Sequence, residues 1–534
     1  MKKLRELTFV ALVTAPSIAT AGGLFLPGSG AISTSRAGAA VASADDGEAL
    51  SINPAGLAKT GPGITITLSA AIISYSMEFT RRGTYDNIAD EDPSYEGQAF
   101  PTVKNQAKPK LGIGSFQPVP VIAVVSDLGG KVKGLHVAAG LYAPNAYPFR
   151  DMNNTNGNEY IFNGDFNAAP PPSRYDIVEQ DAAVLLPSIA AGYRINDSLD
   201  VGARFSLGFA NLDSTTTIWG TPGNVEEFVK ADALFKVSAK DSFIPAFGLG
   251  VTYRPTPNLE FGASYNSQVT IHAKGDASSE KGPQVTLNDV PFDIGPTADQ
   301  FARCATGGTL EKQKACVDFA LPMSATVGGR YKMLGSDGKL KGDIELNLGW
   351  ENWSTDLAST YNVVVDADIF VNGESTLSLK DNAVRHEAKD TFGIRLGGSY
   401  HLPAGDNTVI LRGGLAHDTA FAKTGWLRAD VDGAARTTFA LGGAYRTKRF
   451  QIDVGGGFVY EGTTSNGGDC NVIDPATDQL GCNHDGNEDP IENRNGPDPI
   501  NPIVNPDQQI QSPISQGEYK SHYVMFMLGG TTWF

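Results

Sequence analysis

The residues with the clearest chemistry in this 534-residue chain are four cysteines, which fall into two local pairs. Cys304 is followed closely by Cys316, and Cys470 by Cys482. In an oxidising compartment such pairs close short loops as disulfides. Zinc binding is the alternative, but His484 beside the second pair has no matching second ligand motif. Two loop-closing disulfides are therefore predicted, and no metal site.

Other motifs of catalysis or cofactor binding are scarce. The seven histidines are scattered, and Gly-x-Ser-x-Gly, His-Glu-x-x-His and a phosphate-binding glycine loop are lacking. Residues 483–489 are faintly similar to a calcium loop, but the ligand pattern is incomplete, which favours a solvated acidic loop over 461–518. We therefore expect no enzyme activity and no cofactor. The net charge of −17 argues against nucleic acid as a partner.

The elements that must position any functional side chain are strand-like segments, which follow one another from about residue 63 onward. In 391–400, for example, Phe392 and Ile394 fall on one face while Thr391 and Arg395 fall on the other. In a soluble sandwich the apolar face is the core, whereas in a membrane barrel it contacts lipid. No run of eighteen or more apolar residues follows the N-terminus, so a transmembrane helix is not predicted.

The lengths of the connections favour the barrel. Long and short connections alternate strictly, and an even strand number with this sorting is typical of outer-membrane barrels. Residues 519–534 end in aromatic side chains, as expected at an interfacial girdle. We predict an all-β, 14-stranded antiparallel transmembrane barrel over 63–534. Its strands begin near Gly63, Ser115, Gly134, Ala182, Ser198, Asp241, Asn258, Phe319, Lys339, Lys389, Asp406, Ala434, Arg449 and Tyr519, with long loops at roughly 80–114, 145–181, 213–240, 276–318, 354–388, 419–433 and 461–518.

The polar face of the alternating strands carries charges that would line the interior of the barrel. Buried charges usually pair, so the main interpretation is a set of interior ladders that hold the strands in place. The other interpretation is that one arginine binds a substrate carboxylate, which suits its forked geometry. The sequence leaves both open. The predicted lumen charges are Arg204, Arg330, Arg395, Arg412, Arg446, Asp343, Glu345 and Asp453.

The N-terminus has the features of an export signal. Basic residues precede an apolar stretch, and Ala19-Thr20-Ala21 supplies a cleavage site, so residues 1–21 are predicted to be a signal peptide. The alternative is a short buried helix. Export and a barrel together predict a multi-pass protein of the bacterial outer membrane, in contact with its lipids and its assembly machinery.

Residues 22–62 are too irregular for a strand and carry the most specific motif. Small residues follow Arg36, an Asp-Asp pair follows those, and Asn53, Pro54 and Ala55 stand just ahead of the first strand. This order resembles the hatch of the FadL family (FadL/TodX-like) of outer-membrane transporters for hydrophobic compounds. Short matches in the same order follow along most of the chain, at 186–197, 321–324 and 352–354. The resemblance implies that residues 22–62 form an N-terminal plug (the hatch) inside the lumen.

The resemblance also implies a route by which a transported molecule leaves the barrel. In FadL proteins the third strand is kinked inward and opens the wall, and Gly140 and Pro144 mark the equivalent position here. The alternative is that the proline merely ends the strand at its loop. The loop residues Tyr147, Phe149, Ile161 and Phe162 are candidates for an apolar capture site.

The function that follows from the resemblance is passive uptake of hydrophobic molecules, such as long-chain fatty acids or hydrocarbons, by a monomeric barrel. Loops capture the molecule, the lumen binds it, the hatch moves and the molecule leaves through the wall. Three other functions remain open: a general diffusion porin for polar solutes, an outer-membrane lipid hydrolase, and an adhesin. Porins conduct ions steadily, hydrolases turn over lipid, and an adhesin would work without the hatch.

Overall fold

The computed structural model describes residues 24–87, 93–162, 164–219, 227, 229–287, 290–379, 382–423, 426–431, 433–466, 472–474, 479–481 and 515–534. The predicted signal peptide lies outside these residues, as do Cys470, Cys482 and segment 483–489. No helix among the described residues is long and apolar enough to cross a membrane.

Fourteen strands within the described residues form one closed antiparallel barrel, which confirms the predicted fold class. Each strand pairs with the next, and the last pairs with the first from Thr65↔Trp533 to Arg81↔Gly517, which closes the wall. The strands are β1 Ile64–Arg81, β2 Gln117–Ser126, β3 Leu135–Tyr142, β4 Glu179–Asn196, β5 Leu199–Trp219, β6 Asp232–Thr256, β7 Leu259–Asn266 continued by Val269–Lys281, β8 Gln313–Leu321 continued by Ser324–Leu334, β9 Leu340–Glu351 continued by Thr360–Val371, β10 Thr391–Ala404, β11 Asn407–Asp418, β12 Arg436–Arg446, β13 Phe450–Asn466 and β14 Gly517–Trp533.

The outer face of the barrel carries the apolar residues of the alternating pattern. Phe392 is 58% exposed and Leu528 is 56% exposed, while their chain neighbours point inward. Such a face is stable only against lipid, because it would expose a continuous apolar surface to water.

The strands reach further on the long-loop side than the sequence predicted. Much of the predicted loop 213–240 is strand, since β5 ends at Trp219 and β6 begins at Asp232 rather than near Asp241. Likewise β8 begins at Gln313 rather than near Phe319. These extensions were missed because their outward-facing residues, such as Asp213 and Lys240, are polar. Their apolar residues, such as Phe235, face the lumen, so the apolar stripe that marks a lipid-facing strand is lacking.

Short elements complete the described chain. Those inside the barrel are helices α1 Gly30–Thr34 and α2 Ala49–Ile52 and the 3₁₀ helix Pro54–Lys59. The others lie in the connections: α3 Asp356–Ser359, the 3₁₀ helices Leu128–Gly130, Val229–Ala231 and Asp299–Phe301, and the short strands Thr102–Lys104, Phe149–Asp151, Asn154–Thr155, Asn158–Glu159, Thr286–Leu287, Val290–Pro296, Glu374–Ser378, Asn382–Arg385, Val472–Asp474 and Gln479–Gly481.

Candidate functional site

The hatch lies in the half of the lumen that is nearer the short turns, and its backbone touches the wall at lumen-facing glycines. A methyl group at Gly202 would lie 2.3 Å from the backbone nitrogen of Ala55, and one at Gly414 would lie 2.2 Å from the carbonyl carbon of Arg36. Glycine is needed there because no side chain fits between two backbones at that separation. We call these wall residues the glycine belt: Gly192, Gly202, Gly250, Gly262, Gly397 and Gly414. At Gly140 and Gly442 the hatch instead approaches the wall with the side chains of Leu50 and Ser35.

Asn53 holds the hatch motif together. Its side-chain nitrogen donates to the carbonyl of Val41 at 2.7 Å and to that of Val251 in β6 at 3.2 Å. Its side-chain oxygen accepts from the backbone N–H of Ala55 at 3.1 Å and caps the 3₁₀ helix that begins at Pro54. The fully buried amide therefore joins two parts of the hatch to the wall.

A buried ion-pair network fixes the hatch to β9. Arg36 of the hatch contacts Asp343 at 2.9 Å and Glu345 at 3.3 Å. Arg330 contacts Asp343 at 2.5 Å and Glu260 at 3.1 Å. The predicted residues Asp343, Glu345 and Arg330 thus meet in one network, as the ladder interpretation expects. Arg36 and Glu260 complete it and were not singled out from the sequence.

The remaining predicted arginines lie apart from this network. Arg412 pairs with Asp453 at 2.6 Å, and Arg395 lies 3.4 Å from Asp418. Arg204 donates to the hatch carbonyl of Leu50 at 2.8 Å.

Arg446 differs from the other four predicted arginines in its surroundings. It is exposed at the short-turn rim, where its guanidinium lies 4.7 Å from the centre of the Trp533 ring. It therefore does not face a buried partner as the alternation pattern suggested.

After β3 the chain turns into the lumen. Asn145 donates from its side chain to the carbonyls of Leu26, Pro27 and Gly28 at 3.0–3.3 Å, and the Leu26 N–H donates to the Asn145 carbonyl at 2.6 Å. Pro144 ends the strand because it cannot donate to the ladder. At Asn145 the segment after β3 is therefore attached to the start of the hatch.

An apolar cavity of about 400 Å³ lies in the long-loop half of the lumen, on the other side of the hatch from the short turns. Phe25 of the hatch forms part of its lining. Of the predicted capture residues, Phe149 lines it, Tyr147 is buried beside Phe149 with their ring centres 5.2 Å apart, and Ile161 is 72% exposed. The wall side chains include Val184, Ala210, Leu212, Phe235, Val237, Phe319, Tyr361 and Val363.

A second cavity of about 190 Å³ adjoins the hatch and is more polar. Arg395 lines it, and Phe25 and Pro144 line both cavities. The Phe25 ring also lies 5.6 Å from the ring of Trp353. Phe25 thus separates the apolar cavity from the polar space next to the hatch.

Three charged side chains from the loops lie at the edge of the apolar cavity. Arg428 forms ion pairs with Asp176 and with Asp430, and His386 contacts Asp430 at 2.8 Å. Burial raises the pKa of Asp176 to about 7 although Arg428 opposes the rise, and the charge of Asp430 adds to it. Burial would also raise the pKa of Asp430, but Arg428 and His386 outweigh it and hold that pKa low. No local sequence pattern marks this cluster, because its members come from three separate loops.

One of the two predicted disulfides lies among the described residues, and it is formed. Cys304 and Cys316 are joined, and the Cys304 N–H donates to Asp366 at 2.7 Å. The bridge fastens the loop that precedes β8 to the wall and lies outside the two cavities.

Comparison with known proteins places the chain among outer-membrane barrels. Residues 11–467 match the sequence model of a family described as outer membrane protein transport protein (OMPP1/FadL/TodX). A search of curated proteins finds no match.

Solved structures resemble the whole chain. A FadL homologue of Pseudomonas aeruginosa has 14% identity and a TM-score of 0.64, with 96% of this chain and 100% of that one covered. The toluene transporter TbuX of Ralstonia pickettii has 15% identity and a TM-score of 0.58, covering 95% and 99%. The toluene transporter TodX of Pseudomonas putida has 15% identity and a TM-score of 0.57, also covering 95% and 99%. At such identities these likenesses show the fold.

Proposed function

The chain belongs to the OMPP1/FadL/TodX family of outer-membrane transport proteins, and from this premise we propose that it takes up hydrophobic molecules passively through its lumen. The family resemblance noted around Asn53 is thereby confirmed. Long-chain fatty acids and hydrocarbons are the candidate cargo. The observation that carries the proposal is the apolar cavity, which ends at a hatch seated across a closed barrel.

The cavity supports binding by hydrophobic transfer. Its wall consists mainly of aliphatic and aromatic side chains from β4, β5, β6, β8 and β9. Burial of an alkyl chain contributes about 0.8 kcal/mol per CH₂, so a medium-length chain gains enough free energy to bind from dilute solution. Uptake then needs no energy source beyond the concentration gradient.

The hatch supports a route that leaves through the wall. The belt contacts and the Arg36 network resist removal of the hatch toward the short turns. Beside the end of β3, residues 117–119 of β2 pair only with β1 and residues 182–185 of β4 pair only with β5, among the pairings of the described residues. The cavity lining includes both of these stretches. We propose this gap, next to Gly140 and Pro144, as the lateral exit.

Uptake of a labelled hydrophobic compound by cells with and without the protein tests the proposal. Ala210 lines the cavity and Ala203 faces lipid on the same strand. We expect Ala210→Trp to lower the uptake rate severely because indole fills the cavity, whereas Ala203→Trp leaves it near the wild-type rate. Equal uptake by both variants would contradict the proposal.

Planar-bilayer recordings distinguish the porin alternative. We expect the wild-type protein to show no sustained conductance, because the hatch fills the short-turn half of the lumen. Steady large conductance would instead favour a diffusion porin.

A further inference from the structure

The cluster of Arg428, Asp176 and Asp430 places charged side chains in the lining of the apolar cavity. Among the described residues that line the apolar cavity, these three carry the charges, and Arg428 is the one cation. Their side chains are at most 6% exposed. A ligand in the cavity therefore meets these charges in a region of low water content, where unpaired charge is costly.

Both carboxylates form ion pairs with Arg428. The Nε atom of Arg428 lies 3.1 Å from Asp430, and a terminal nitrogen pairs with Asp176. Backbone groups hold the carboxylates in place, since Ala429 donates to Asp176 and Val431 donates to Asp430 at 2.8 Å. The guanidinium is thus already bound by two acceptors that the protein supplies.

The charge balance of the cluster disfavours an anionic ligand. One guanidinium faces two carboxylates, and His386 is the other titratable group in contact with them. With both acids ionised the cluster is neutral when His386 is protonated and carries one negative charge when it is not. A ligand carboxylate would either add a further negative charge beside these two acids, or displace one of them from Arg428 and leave it buried without its partner.

The lumen arginines predicted from the sequence offer no substitute in this cavity. Arg330 and Arg412 are paired with carboxylates on the hatch side, and Arg395 lines the second cavity. An uncharged hydrophobic molecule needs no such partner and loses nothing by entering.

We propose that the apolar cavity selects uncharged hydrophobic molecules over carboxylate-bearing ones, and that Asp176 and Asp430 determine this selectivity by occupying Arg428. The inference rests on the proposed uptake function and narrows its cargo to neutral compounds.

Binding of radiolabelled 1-decanol and decanoate to the full-length protein in lipid nanodiscs at pH 8 tests the inference, with empty nanodiscs to subtract partitioning. The two probes share a chain and differ in the head group. We expect the wild-type protein to bind decanol more tightly by about tenfold or more. In Asp176→Asn the freed Arg428 should raise decanoate affinity by about the same factor and leave decanol affinity nearly unchanged.

Asp213→Asn is the matched control, because Asp213 is an exposed carboxylate that bonds Ser238 and Lys110 away from the cavity. Equal wild-type affinities for both probes, or an unchanged preference in Asp176→Asn, would overturn the selectivity and leave the uptake function standing. Absence of binding of either probe would overturn both. The wild-type preference alone decides the point if Asp176→Asn fails to fold.

Discussion

The two halves of the lumen are built on opposite principles. In the short-turn half, the hatch backbone presses on the glycine belt, and buried ion pairs such as Arg36 with Asp343 cross from hatch to wall. In the long-loop half, aliphatic and aromatic side chains surround open space, and the charges that line this space belong to the cluster around Arg428. The first half is packed and polar, whereas the second is open and apolar.

This contrast explains how one barrel can both admit and retain a hydrophobic molecule. The apolar half provides transfer free energy to a cargo molecule, while the polar half offers it only the smaller and more polar cavity of about 190 Å³. Cargo that enters therefore stops at the hatch. On the proposed uptake route, the cargo leaves near Phe25 and the end of β3, where both cavities meet.

The largest expected effect comes from removing the charge that joins the hatch to β9. Arg36→Met removes the buried cation that pairs with Asp343 and Glu345, which should lower the free energy of unfolding by about 3–5 kcal/mol. We expect a lower thermal midpoint and open-channel events in planar bilayers. Lys110→Met removes an exposed pair with Asp213 and should change stability by less than about 1 kcal/mol. Indistinguishable behaviour of the two variants would contradict a hatch held by buried charge.

The glycine belt gives the next effect. Gly202→Ala places a methyl group 2.3 Å from the hatch backbone, and such overpacking costs about 1–3 kcal/mol. We expect the hatch to loosen, seen as faster proteolysis within residues 24–62 of the refolded protein. Gly530→Ala is the control, since its nearest neighbour, the Gln451 carbonyl, would be 3.9 Å away. Equal rates of proteolysis in both variants would contradict a role of the glycine belt in holding the hatch.

A substitution of Asn53 tests how much its hydrogen bonds within the hatch contribute to stability. Asn53→Ala removes the bonds to Val41, Val251 and Ala55 and should cost about 1–3 kcal/mol, since buried partners stay unsatisfied. Thermal unfolding in detergent measures the change. Asn407→Ala loses one exposed hydrogen bond to Tyr445 and should hardly change the thermal midpoint. A comparable decrease of the midpoint in both variants would contradict the stabilising role of Asn53.

The last expected effect is a pH dependence in the long-loop half. The pKa of Asp176 is about 7 in the folded protein, above its value in an unfolded chain, so the folded state binds the extra proton. Its contribution to stability is present at low pH and is lost as pH rises from about 4 to about 7. We expect the thermal midpoint of the wild type to fall between pH 5 and pH 8 relative to that of Asp176→Asn. Parallel pH curves would contradict the assignment.

The sequence predicted the barrel well because lipid imposes an alternation that can be read directly. It predicted the ends of β5 and β6 poorly, because polar residues such as Asp213 and Lys240 occupy the outer face of these segments, where a lipid-facing strand has apolar ones. Outside lipid, strand pairing is maintained by the neighbouring strand rather than by an apolar face.

The site was predicted only in part. Asn53 was found through its motif, and Asp343 and Arg330 through alternation. Arg36 and Arg428 were missed because their partners are distant in sequence: Arg36 pairs with a residue 307 positions away, and no local pattern encodes such a contact. The glycine belt was likewise hidden, since a lumen glycine in a strand looks the same whether or not a backbone lies against it.

The most direct test of cargo binding in the apolar half is a crystal of the protein soaked with 1-bromonaphthalene, with the bromine located by anomalous diffraction. We predict bromine within the cavity lined by Ala210, Phe235 and Phe319, on the long-loop side of Phe25. Bromine found only on the lipid-facing surface, or threaded past the hatch toward the short turns, would contradict the division of the lumen into an apolar binding half and a closed polar half.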